Sequence, residues 1–408
     1  MSTVPTFVVV GANQAGGTAA GELREQGFDG RVVLIGEEPR PPYERPPLSK
    51  EYLRGERSME SGYLRPEGWW EEHDVETRFG TRAARIDASE RNVALGDGEE
   101  IAYDRLLVAT GARNRRVPIP GIDLQGVLGL RTADDAAGIV EAATNGARAV
   151  MVGMGFIGAE VSASLRSRGL EVTVVDPGDV PLRRVLGTEI GAVIRDIHAD
   201  HGVRMHFGDT VDSFEGDARV EAVVTRNGKR LGCDFAVVGI GVQPNIEIAE
   251  HSGIEVQNGI MVDGGLETNV PGVFAAGDVA LHDHPLFGRI RVEHWDNALK
   301  MGQHAARSMV GDKRVFDDPH WFWSDQYDIN IQMAGFAPSW DEVVYRGRLE
   351  DRSFSAFFLR EGKLLSALSV NRPRDVRRAM RLIREGTSPT AQQLRDENVD
   401  LRALLRST

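Results

Sequence analysis

Short apolar runs alternate with glycine-rich turns and amphipathic stretches at the start of the chain. Thr6 to Val10 is almost continuously apolar, which predicts a buried strand. A glycine-rich turn over 11–17, a helix over 18–26 and a second apolar strand over Arg31 to Ile35 follow. This order predicts a βαβ unit, in which the helix begins close to the end of the first strand.

The same pattern returns further along the chain. An apolar strand at Arg148 to Val152 leads into a turn at Gly153 to Gly158. A helix that ends near Arg168 and a strand at Glu171 to Val175 follow. The duplication predicts an α/β fold with two Rossmann-type dinucleotide-binding domains.

Both turns have the chemistry of a nucleotide site. Glycines at the turn let a pyrophosphate approach the helix N-terminus, and an acidic residue 23 to 26 positions after the first glycine would accept hydrogen bonds from a ribose. The first motif has Gly11, Asn13 and Gly16 with Glu37, and the second has Gly153, Gly155 and Gly158 with Asp176. A glycine is usual at the position of Asn13, so its side chain would either weaken flavin binding or donate to phosphate itself.

Further apolar strands also end in glycine. They are predicted at Leu106 to Ala109, Phe235 to Ile240 and Val273 to Ala276, and glycine there lets the backbone approach a cofactor closely. From Trp321 onward, alternating strands such as 329–333 are followed by helical segments. This change predicts a third, C-terminal α+β domain.

Composition and charge narrow the possible functions. A length of 408 residues predicts two or three domains, and a formal charge of −13 argues against binding to nucleic acid or to an acidic membrane. No apolar run is long enough to span a bilayer, and the first cation is Arg24, so a signal peptide is not expected. The single cysteine, Cys233, can form no intrachain disulfide, which indicates a reducing cytoplasm.

Several more motifs occur in a specific order along the chain. They are Arg45-Pro-Pro-Leu-Ser-Lys50, Ala109-Thr-Gly111, Leu130-Arg-Thr132, Phe-Ala-Ala-Gly-Asp278 and Trp321-Phe-Trp-Ser-Asp-Gln326. Together with the two glycine motifs, they resemble the FAD-dependent ferredoxin reductases of the glutathione-reductase superfamily, of the putidaredoxin reductase and biphenyl dioxygenase reductase type. The resemblance covers nearly the whole chain.

The resemblance implies three domains and two cofactors, FAD and NADH. A discontinuous FAD-binding domain would consist of residues 1–112 and 245–320, with the NAD-binding domain at 113–244 between them and the C-terminal domain at 321–408. The residues implied at FAD are Gly11, Asn13, Ala15, Gly16, Glu37, Arg45, Lys50, Ala83, Thr110, Gly111, Arg131, Gly277, Asp278 and Trp295. Those implied at NAD are Gly153, Gly155, Ile157, Gly158, Glu160, Asp176, Arg184 and Gly241.

Lys50 has a structural and a catalytic interpretation. Ser49 is a good N-cap, so Lys50 is predicted in the first turn of a helix through Leu53, where a cation opposes the helix dipole at a cost of about 0.3 to 1 kcal/mol. A solvated surface lysine would explain it, whereas the resemblance places Lys50 beside the flavin N5 atom, paired with Glu160, and we favour the latter. Glu160 could also be a first-turn carboxylate that stabilises its helix.

The resemblance implies hydride transfer from NADH C4 to FAD N5, followed by two single-electron transfers to a 2Fe-2S ferredoxin that feeds a haem monooxygenase or a ring-hydroxylating dioxygenase. One cysteine cannot form the dithiol of a disulfide reductase, and Cys233 is expected in a small buried apolar role. Reductases of rubredoxin, monodehydroascorbate or nitrite stay open as alternatives, as does an NADH-responsive interaction protein similar to apoptosis-inducing factor. A monomer and a homodimer are both compatible with the sequence.

A basic helix and a tryptophan predict where an acidic ferredoxin docks. Residues 371–385 carry six arginines against Asp375 and Glu385, and their three- and four-residue spacing predicts an amphipathic helix with a basic outer face. The predicted docking arginines are Arg374, Arg377, Arg378 and Arg381. Trp323 would either lie near the flavin edge where the ferredoxin docks, as the resemblance implies, or fill an interdomain core.

Two further patterns are interpreted as structural. His282 with His284, and the trio between His198 and His206, have no matching Cys or Glu cluster, so no metal site is predicted. The stretch Pro39 to Pro47 could be a polyproline ligand, but its place after a nucleotide-unit strand favours a stiff loop that covers the cofactor.

Overall fold

The computed structural model describes residues 4–406, which form nine α-helices and five short 3-10 helices. Helices α1 to α9 are, in chain order, Gln14–Glu25, Glu51–Arg54, Trp69–Glu72, Ala133–Ala142, Phe156–Ser167, Arg183–Asp200, Trp295–Met309, Pro373–Arg384 and Ala391–Arg395. The 3-10 helices are Pro46–Ser49, Glu60–Gly62, Gly277–Val279, Leu349–Asp351 and Ala403–Arg406.

The described residues also form 27 strands, most of them short. Strands β1 to β27 are, in chain order, Thr6–Val10, Arg31–Gly36, Val75–Phe79, Ala83–Asp87, Asn92–Leu95, Glu100–Ala102, Arg105–Val108, Ala112–Asn114, Val127–Leu128, Arg148–Val152, Glu171–Asp176, Arg204–Phe207, Val211–Glu215, Ala222–Thr225, Arg230–Gly232, Phe235–Val238, Val242–Pro244, Val256–Gln257, Gly259–Val262, Val273–Ala275, Ala280–His284, Gly288–Ile290, Trp321–Gln326, Ile329–Gly335, Glu342–Arg348, Ser353–Arg360 and Lys363–Val370.

Two compact units divide the described residues. The first comprises 4–44, 62–113 and 243–320, and the second comprises 45–61, 114–242 and 321–406. The segment 45–61, which the sequence analysis assigned to the FAD-binding domain, therefore clusters with the second unit. The reason is apolar packing, because Leu53 lies in the same buried cluster as Ile139 and Leu165.

The first unit is built on a parallel five-stranded sheet in the order β20-β7-β1-β2-β3. Buried strand residues such as Val8 and Leu107 form its core, and α1 packs against α7. The two helices approach closely because Gly302 has no side chain: a Cβ there would lie 2.4 Å from the Ala15 carbonyl oxygen. A four-stranded and a three-stranded sheet, β18-β19-β21-β22 and β4-β5-β6, complete this unit.

The second unit contains a second parallel sheet, in the order β12-β11-β10-β16-β9, and a C-terminal antiparallel sheet, β23-β24-β27-β26-β25. Helix α6 packs on the antiparallel sheet. The apolar side chains of α6, among them Ile190 and Ile194, pack with Phe354 and Phe358 of the antiparallel sheet. Helix α8 also lies on this antiparallel sheet, where it packs on β24 and β27. The fold class predicted from the sequence is confirmed.

The predicted helix of the first βαβ unit began too late. The glycines were assigned to the turn, yet α1 starts at Gln14 and includes Gly16 and Gly17. Close contact with the preceding turn explains this choice of residue, because a Cβ on Gly16 would lie 1.9 Å from the Gly11 carbonyl oxygen. The strands Thr6–Val10 and Arg148–Val152 begin and end where the apolar pattern predicted.

Candidate functional site

The first nucleotide cradle lies at the carboxyl end of β1 in the first unit. Gly11 adopts a φ of +110°, and a Cβ there would lie 2.2 Å from the Ala109 carbonyl oxygen at the end of β7. Glycine is therefore required at this position by the backbone itself. The turn brings the N-terminus of α1 to the edge of the sheet where nucleotides bind in doubly wound folds.

Asn13 is the N-cap of α1 but does not cap it with its side chain. Its backbone is ordinary extended chain, with a φ of −105°. The Asn13 amide nitrogen lies 3.4 Å from the Ala109 carbonyl oxygen, and no side-chain bond is made to the helix amides. The first-turn N–H groups of α1 are thus not capped by this side chain, which fits a pyrophosphate at the helix N-terminus.

The other residues predicted at FAD fall in both units. In the first unit, Glu37 is exposed directly after β2, Ala83 begins β4, and Trp295 begins α7. Loop residues of this unit are held by reciprocal bonds: Thr110 Oγ1 donates to the Asn245 carbonyl at 2.8 Å, and Asn245 Nδ2 donates to the Thr110 carbonyl at 2.9 Å.

Buried residues of the first unit complete its predicted set. Asp278 is 9% exposed in the 3-10 helix after β20, and a Cβ on Gly277 would lie 3.0 Å from the Ala15 side chain.

Arg45, Lys50 and Arg131, which were also predicted at FAD, lie in the second unit. There the Arg45 guanidinium donates to the Arg131 carbonyl.

The second cradle, in the second unit, repeats the first with one informative difference. A Cβ on Gly153 would lie 2.4 Å from the Gly239 carbonyl oxygen, and a Cβ on Gly158 would lie 2.1 Å from the Gly153 carbonyl oxygen, so packing demands both glycines. Gly155, the N-cap of α5, meets nothing within 4 Å. The fold does not need this glycine for packing, and the open space in front of the helix fits a pyrophosphate.

Asp176 ends β11 and holds the turns around this cradle. Its Oδ2 atom accepts from the Met154 amide at 2.6 Å, and its Oδ1 atom accepts from the Gly178 amide at 2.7 Å. Ile157, in the first turn of α5, is 46% exposed, and Arg184 is exposed at the start of α6. Gly241 follows β16 with a φ of +100°.

Lys50 and Glu160 form a buried ion pair within the second unit. Lys50 Nζ lies 2.7 Å from Glu160 Oε2, and the two side chains are 5% and 4% exposed. This burial excludes the interpretation of Lys50 as a solvated surface lysine. A buried charge is retained when it is paired and hydrogen-bonded, as here.

Two local expectations at this pair were wrong. Lys50 itself is the N-cap of α2, and Ser49 ends the preceding 3-10 helix, so Ser49 does not cap α2. Glu160 lies in the second turn of α5, which has no acidic residue in its first turn. Interaction with the helix N-terminus therefore does not account for Glu160, since that effect fades within one turn.

Two hydroxyl groups that no sequence pattern predicted surround the Glu160 carboxylate. Ser49 Oγ donates to Glu160 Oε2 at 2.5 Å, and Ser324 Oγ, from β23, donates to Glu160 Oε1 at 2.7 Å. Both serines are buried. Ser324 is 164 residues from Glu160 in the chain, and no local pattern marks such a partner.

The histidines that were considered as metal ligands from the sequence contact other residues of the fold. Burial lowers the pKa of His198 to about 4, and its ring bonds to Gln326 and Tyr327. His282 and His284 are also buried, and burial lowers the pKa of His282 to about 3. Among residues 4–406, no group of three His, Cys, Asp or Glu side chains is arranged to hold a metal ion.

The predicted basic face is present on α8. Val376, Ala379 and Ile383 are buried, whereas Arg374, Arg377 and Arg381 are exposed. A groove of about 250 Å³ is lined by Arg374, Arg377, Arg378, Arg381, Arg402 and Leu405. Within the described part of the chain, Arg374, Arg377, Arg381 and Arg402 have no carboxylate partner for their side chains, so the groove attracts anions.

Arg346 holds the C-terminal segment beside this face, and Trp323 stacks on a second tryptophan in β23. Arg346 is 3% exposed and donates to the carbonyl oxygens of Leu394, Asp396 and Val399, which holds the C-terminal segment that carries Arg402. Trp323 lies in β23, where its ring stacks on Trp321 with 5.2 Å between centroids.

No helix within residues 4–406 is long and apolar enough to cross a bilayer.

Comparison with known proteins gives two family matches. Residues 5–302 match the pyridine nucleotide-disulphide oxidoreductase model, and residues 321–405 match the reductase C-terminal model. Rhodocoxin reductase of Rhodococcus erythropolis is 39% identical over 97% of this chain and 93% of its own length. The ferredoxin–NAD(+) reductase component of the anthranilate 1,2-dioxygenase system of Burkholderia cepacia is 37% identical over 99% of this chain and 100% of its own length. In the crystal structure of the covalent putidaredoxin reductase–putidaredoxin complex, the matching chain is 32% identical, with a TM-score of 0.96 over 100% of this chain and 99% of that chain.

Proposed function

The chain belongs to the pyridine nucleotide-disulphide oxidoreductase family, and from this we propose that it is an FAD-dependent NADH:ferredoxin oxidoreductase of an oxygenase system. FAD, when bound, accepts a hydride from NADH and releases electrons singly to a 2Fe-2S ferredoxin, since flavins couple two-electron and one-electron carriers. The relatives that carry ferredoxin reductase names match over nearly the full length of both chains.

The observation that carries the proposal is the presence of two dinucleotide cradles in a chain whose one thiol is buried. Cys233 is 1% exposed, and burial raises its pKa to about 11, so it is protonated and unreactive at neutral pH. Cys233 lies between β15 and β16. Electrons that enter this protein therefore leave without thiol chemistry, which disfavours a disulfide reductase.

The chain's own residues supply binding and orientation. In this proposal the α1 N-terminus beyond Gly11 and Asn13 binds the FAD pyrophosphate, and the α5 N-terminus at Gly155 binds that of NADH. Lys50, held by Glu160, is the cation that orients the reactive part of the flavin. A paired ammonium suits this role because it is fixed in place and cannot turn toward solvent.

The donor is NADH in this proposal, because Asp176 would repel the additional 2′-phosphate of NADPH. The acceptor docks on the basic face of α8 together with Trp323. The groove beside Arg377 and Arg381 supports this, since exposed arginines without carboxylate partners attract an acidic protein. The single buried cysteine supports a cytoplasmic location.

An anaerobic titration with NADH tests the proposed function. The purified protein should be yellow or become so when FAD is added, and about one equivalent of NADH should bleach its flavin absorbance. The variant Gly155→Val, which fills the open space in front of α5, should retain FAD but lose rapid bleaching. The proposal would be contradicted if the protein cannot bind FAD, or if the bound flavin stays oxidised after NADH is added.

A further inference from the structure

A chain of hydrogen bonds joins the Glu160 carboxylate to helix α6. Ser324 Oγ lies 2.7 Å from Glu160 Oε1, and Gln326 Nε2 lies 3.1 Å from Ser324 Oγ. His198 Nε2 lies 2.9 Å from Gln326 Oε1, and the Tyr327 hydroxyl lies 3.2 Å from His198 Nδ1. Glu160, Ser324, Gln326 and His198 are each no more than 3% exposed, so water does not compete for the bonds among these four side chains.

The direction of every bond in this chain follows from the carboxylate at its end. An ionised carboxylate only accepts, so Ser324 must direct its one hydroxyl hydrogen at Glu160. Ser324 can then only accept from Gln326, which therefore presents its NH2 group to the serine and its carbonyl oxygen to the histidine. A neutral His198 must accordingly carry its proton on Nε2 and accept the Tyr327 hydroxyl at Nδ1.

The strongest bond of the chain is expected to be the one that ends on the carboxylate, because charge-assisted hydrogen bonds are about twice as strong as neutral ones. This bond joins Ser324 Oγ to Glu160 Oε1 at 2.7 Å. Aligned donors polarise one another, so each bond strengthens the next toward the carboxylate. On the other side of Glu160, Lys50 and Ser49 both donate to Oε2. The carboxylate is thus held from two directions.

We propose that Ser324, Gln326 and His198 are positioning residues whose one-directional chain fixes Glu160 as an acceptor and thereby holds Lys50 in its place. The effect of this hydrogen-bonded chain on electron transfer rests on the proposed function, in which Lys50 orients the flavin. The positioning of Glu160 and Lys50 is independent of that function, and all of the residues involved lie in the second unit.

The position of the proton on His198 tests the direction of the chain. In full-length protein with 15N-labelled histidine, the ring resonances of His198 are identified by their loss in His198→Gln. They should report an Nε2–H tautomer. In Glu160→Gln, the new amide oxygen should face Lys50 and Ser49, so its NH2 group faces Ser324, which reverses every bond and moves the His198 proton to Nδ1.

Ser49→Ala is the matched control, because it removes a donor to Glu160 from the side that the chain does not reach. His198 should keep its Nε2–H tautomer in this variant. A native protein with the proton on Nδ1, or a Glu160→Gln protein in which His198 is unchanged, would overturn the proposal. Because this measurement needs neither NADH nor ferredoxin, its failure is distinct from a failure of the proposed function.

A pair of histidine variants separates positioning from general packing. Glutamine can place a donor near the position of Nε2 whereas asparagine cannot, so His198→Asn should slow flavin reduction by NADH by up to about tenfold, the loss expected for one buried hydrogen bond, and His198→Gln should restore most of it. In a Ser324→Ala background, where the chain is already broken, His198→Asn should add nothing. Additive slowing would show that His198 acts by another route, and would overturn the proposal.

Discussion

Lys50 Nζ and Glu160 Oε2 lie 2.7 Å apart across 110 residues of sequence, and neither side chain is more than 5% exposed. A buried ion pair is weak evidence for stability, because desolvation offsets the attraction between the charges. Breaking such a pair on one side is costly, since the remaining charge has no partner. Single and double substitutions of this pair are therefore expected to differ in their effect on the free energy of unfolding.

Lys50→Met should lower the free energy of unfolding by about 3 to 5 kcal/mol, since it leaves the Glu160 carboxylate without a countercharge. The double variant Lys50→Met/Glu160→Gln should regain most of this loss, because no buried charge remains. Urea unfolding of the three proteins measures both effects. If the double variant is as unstable as Lys50→Met, the two side chains are not energetically coupled.

The same lysine should matter for the flavin reaction. Lys50→Met should slow flavin reduction by NADH more than it weakens FAD retention, if the ammonium orients the flavin as proposed. Stopped-flow reduction and a flavin-release assay compare the two effects. Equal reduction rates in Lys50→Met and the unmodified protein would assign the pair a purely structural role.

Asp176 should determine the choice of pyridine nucleotide. Asp176→Ser should shift the ratio of kcat/KM for NADPH over NADH upward by roughly tenfold or more, because it removes the carboxylate that would repel a 2′-phosphate. Asp179→Ser is the control, since Asp179 lies on the same turn but pairs with Arg183 at 2.9 Å. If Asp176→Ser leaves the ratio of kcat/KM for NADPH over NADH unchanged while Asp179→Ser raises it, Asp176 is not the residue at the ribose.

Buried histidines should make the protein acid-sensitive. Burial lowers the pKa of His198 to about 4 and that of His282 to about 3, whereas the unfolded chain takes up protons on these rings near pH 6.5. Between about pH 6.5 and pH 4 the unfolded state binds more protons, so the free energy of unfolding falls as the pH falls.

Urea unfolding at a series of pH values through this window tests the contribution of His198. His198→Gln should lessen the acid-induced loss of stability by about 1 to 3 kcal/mol, because one ring that must charge on unfolding is removed. The exposed His73 supplies the control, and His73→Gln should leave the slope unchanged. A wild-type slope in His198→Gln would show that this ring does not contribute.

Charge reversal on α8 should slow the encounter with ferredoxin. Arg377→Glu/Arg381→Glu should lower the second-order rate constant of ferredoxin reduction by about tenfold at low salt and flatten its dependence on ionic strength. Reduction of ferricyanide, a small acceptor, provides the reference rate. Arg348→Glu, at an arginine that is 74% exposed, is the matched control. An equal effect of the control would attribute the change to net charge, and no effect would direct attention to the surface around Trp323.

The elements that the sequence predicted are those with local causes. The strands Thr6–Val10 and Arg148–Val152 are continuous apolar runs, and each turn after them needs glycine, so the two βαβ units follow from short stretches of sequence. The start of α1 did not follow, because Gly16 lies inside the helix, where its lack of a side chain lets the helix pack closely on the turn before it. Helix propensity alone gives no indication of such close packing.

The surroundings of Glu160 show what a single sequence cannot reveal. Its pairing with Lys50 was expected only from the family resemblance, and the donors Ser49 and Ser324 were not predicted. Ser324 approaches from a strand 164 residues away, and serine in a strand carries no mark of its partner. Ser49 has a strong preference for helix caps, and here that local preference is overridden by a buried carboxylate.

The number of ferredoxins reduced per NADH tests the proposed electron transfer to a 2Fe-2S ferredoxin. Under anaerobic conditions, the FAD-bound protein is mixed with limiting NADH and excess oxidised ferredoxin, and reduced ferredoxin is counted from its absorbance. The proposed function predicts about two reduced ferredoxins per NADH, since a two-electron donor is converted to one-electron carriers. A flavin that NADH reduces but that passes no electrons to any of a panel of 2Fe-2S ferredoxins, while it readily reduces rubredoxin or monodehydroascorbate, would contradict it.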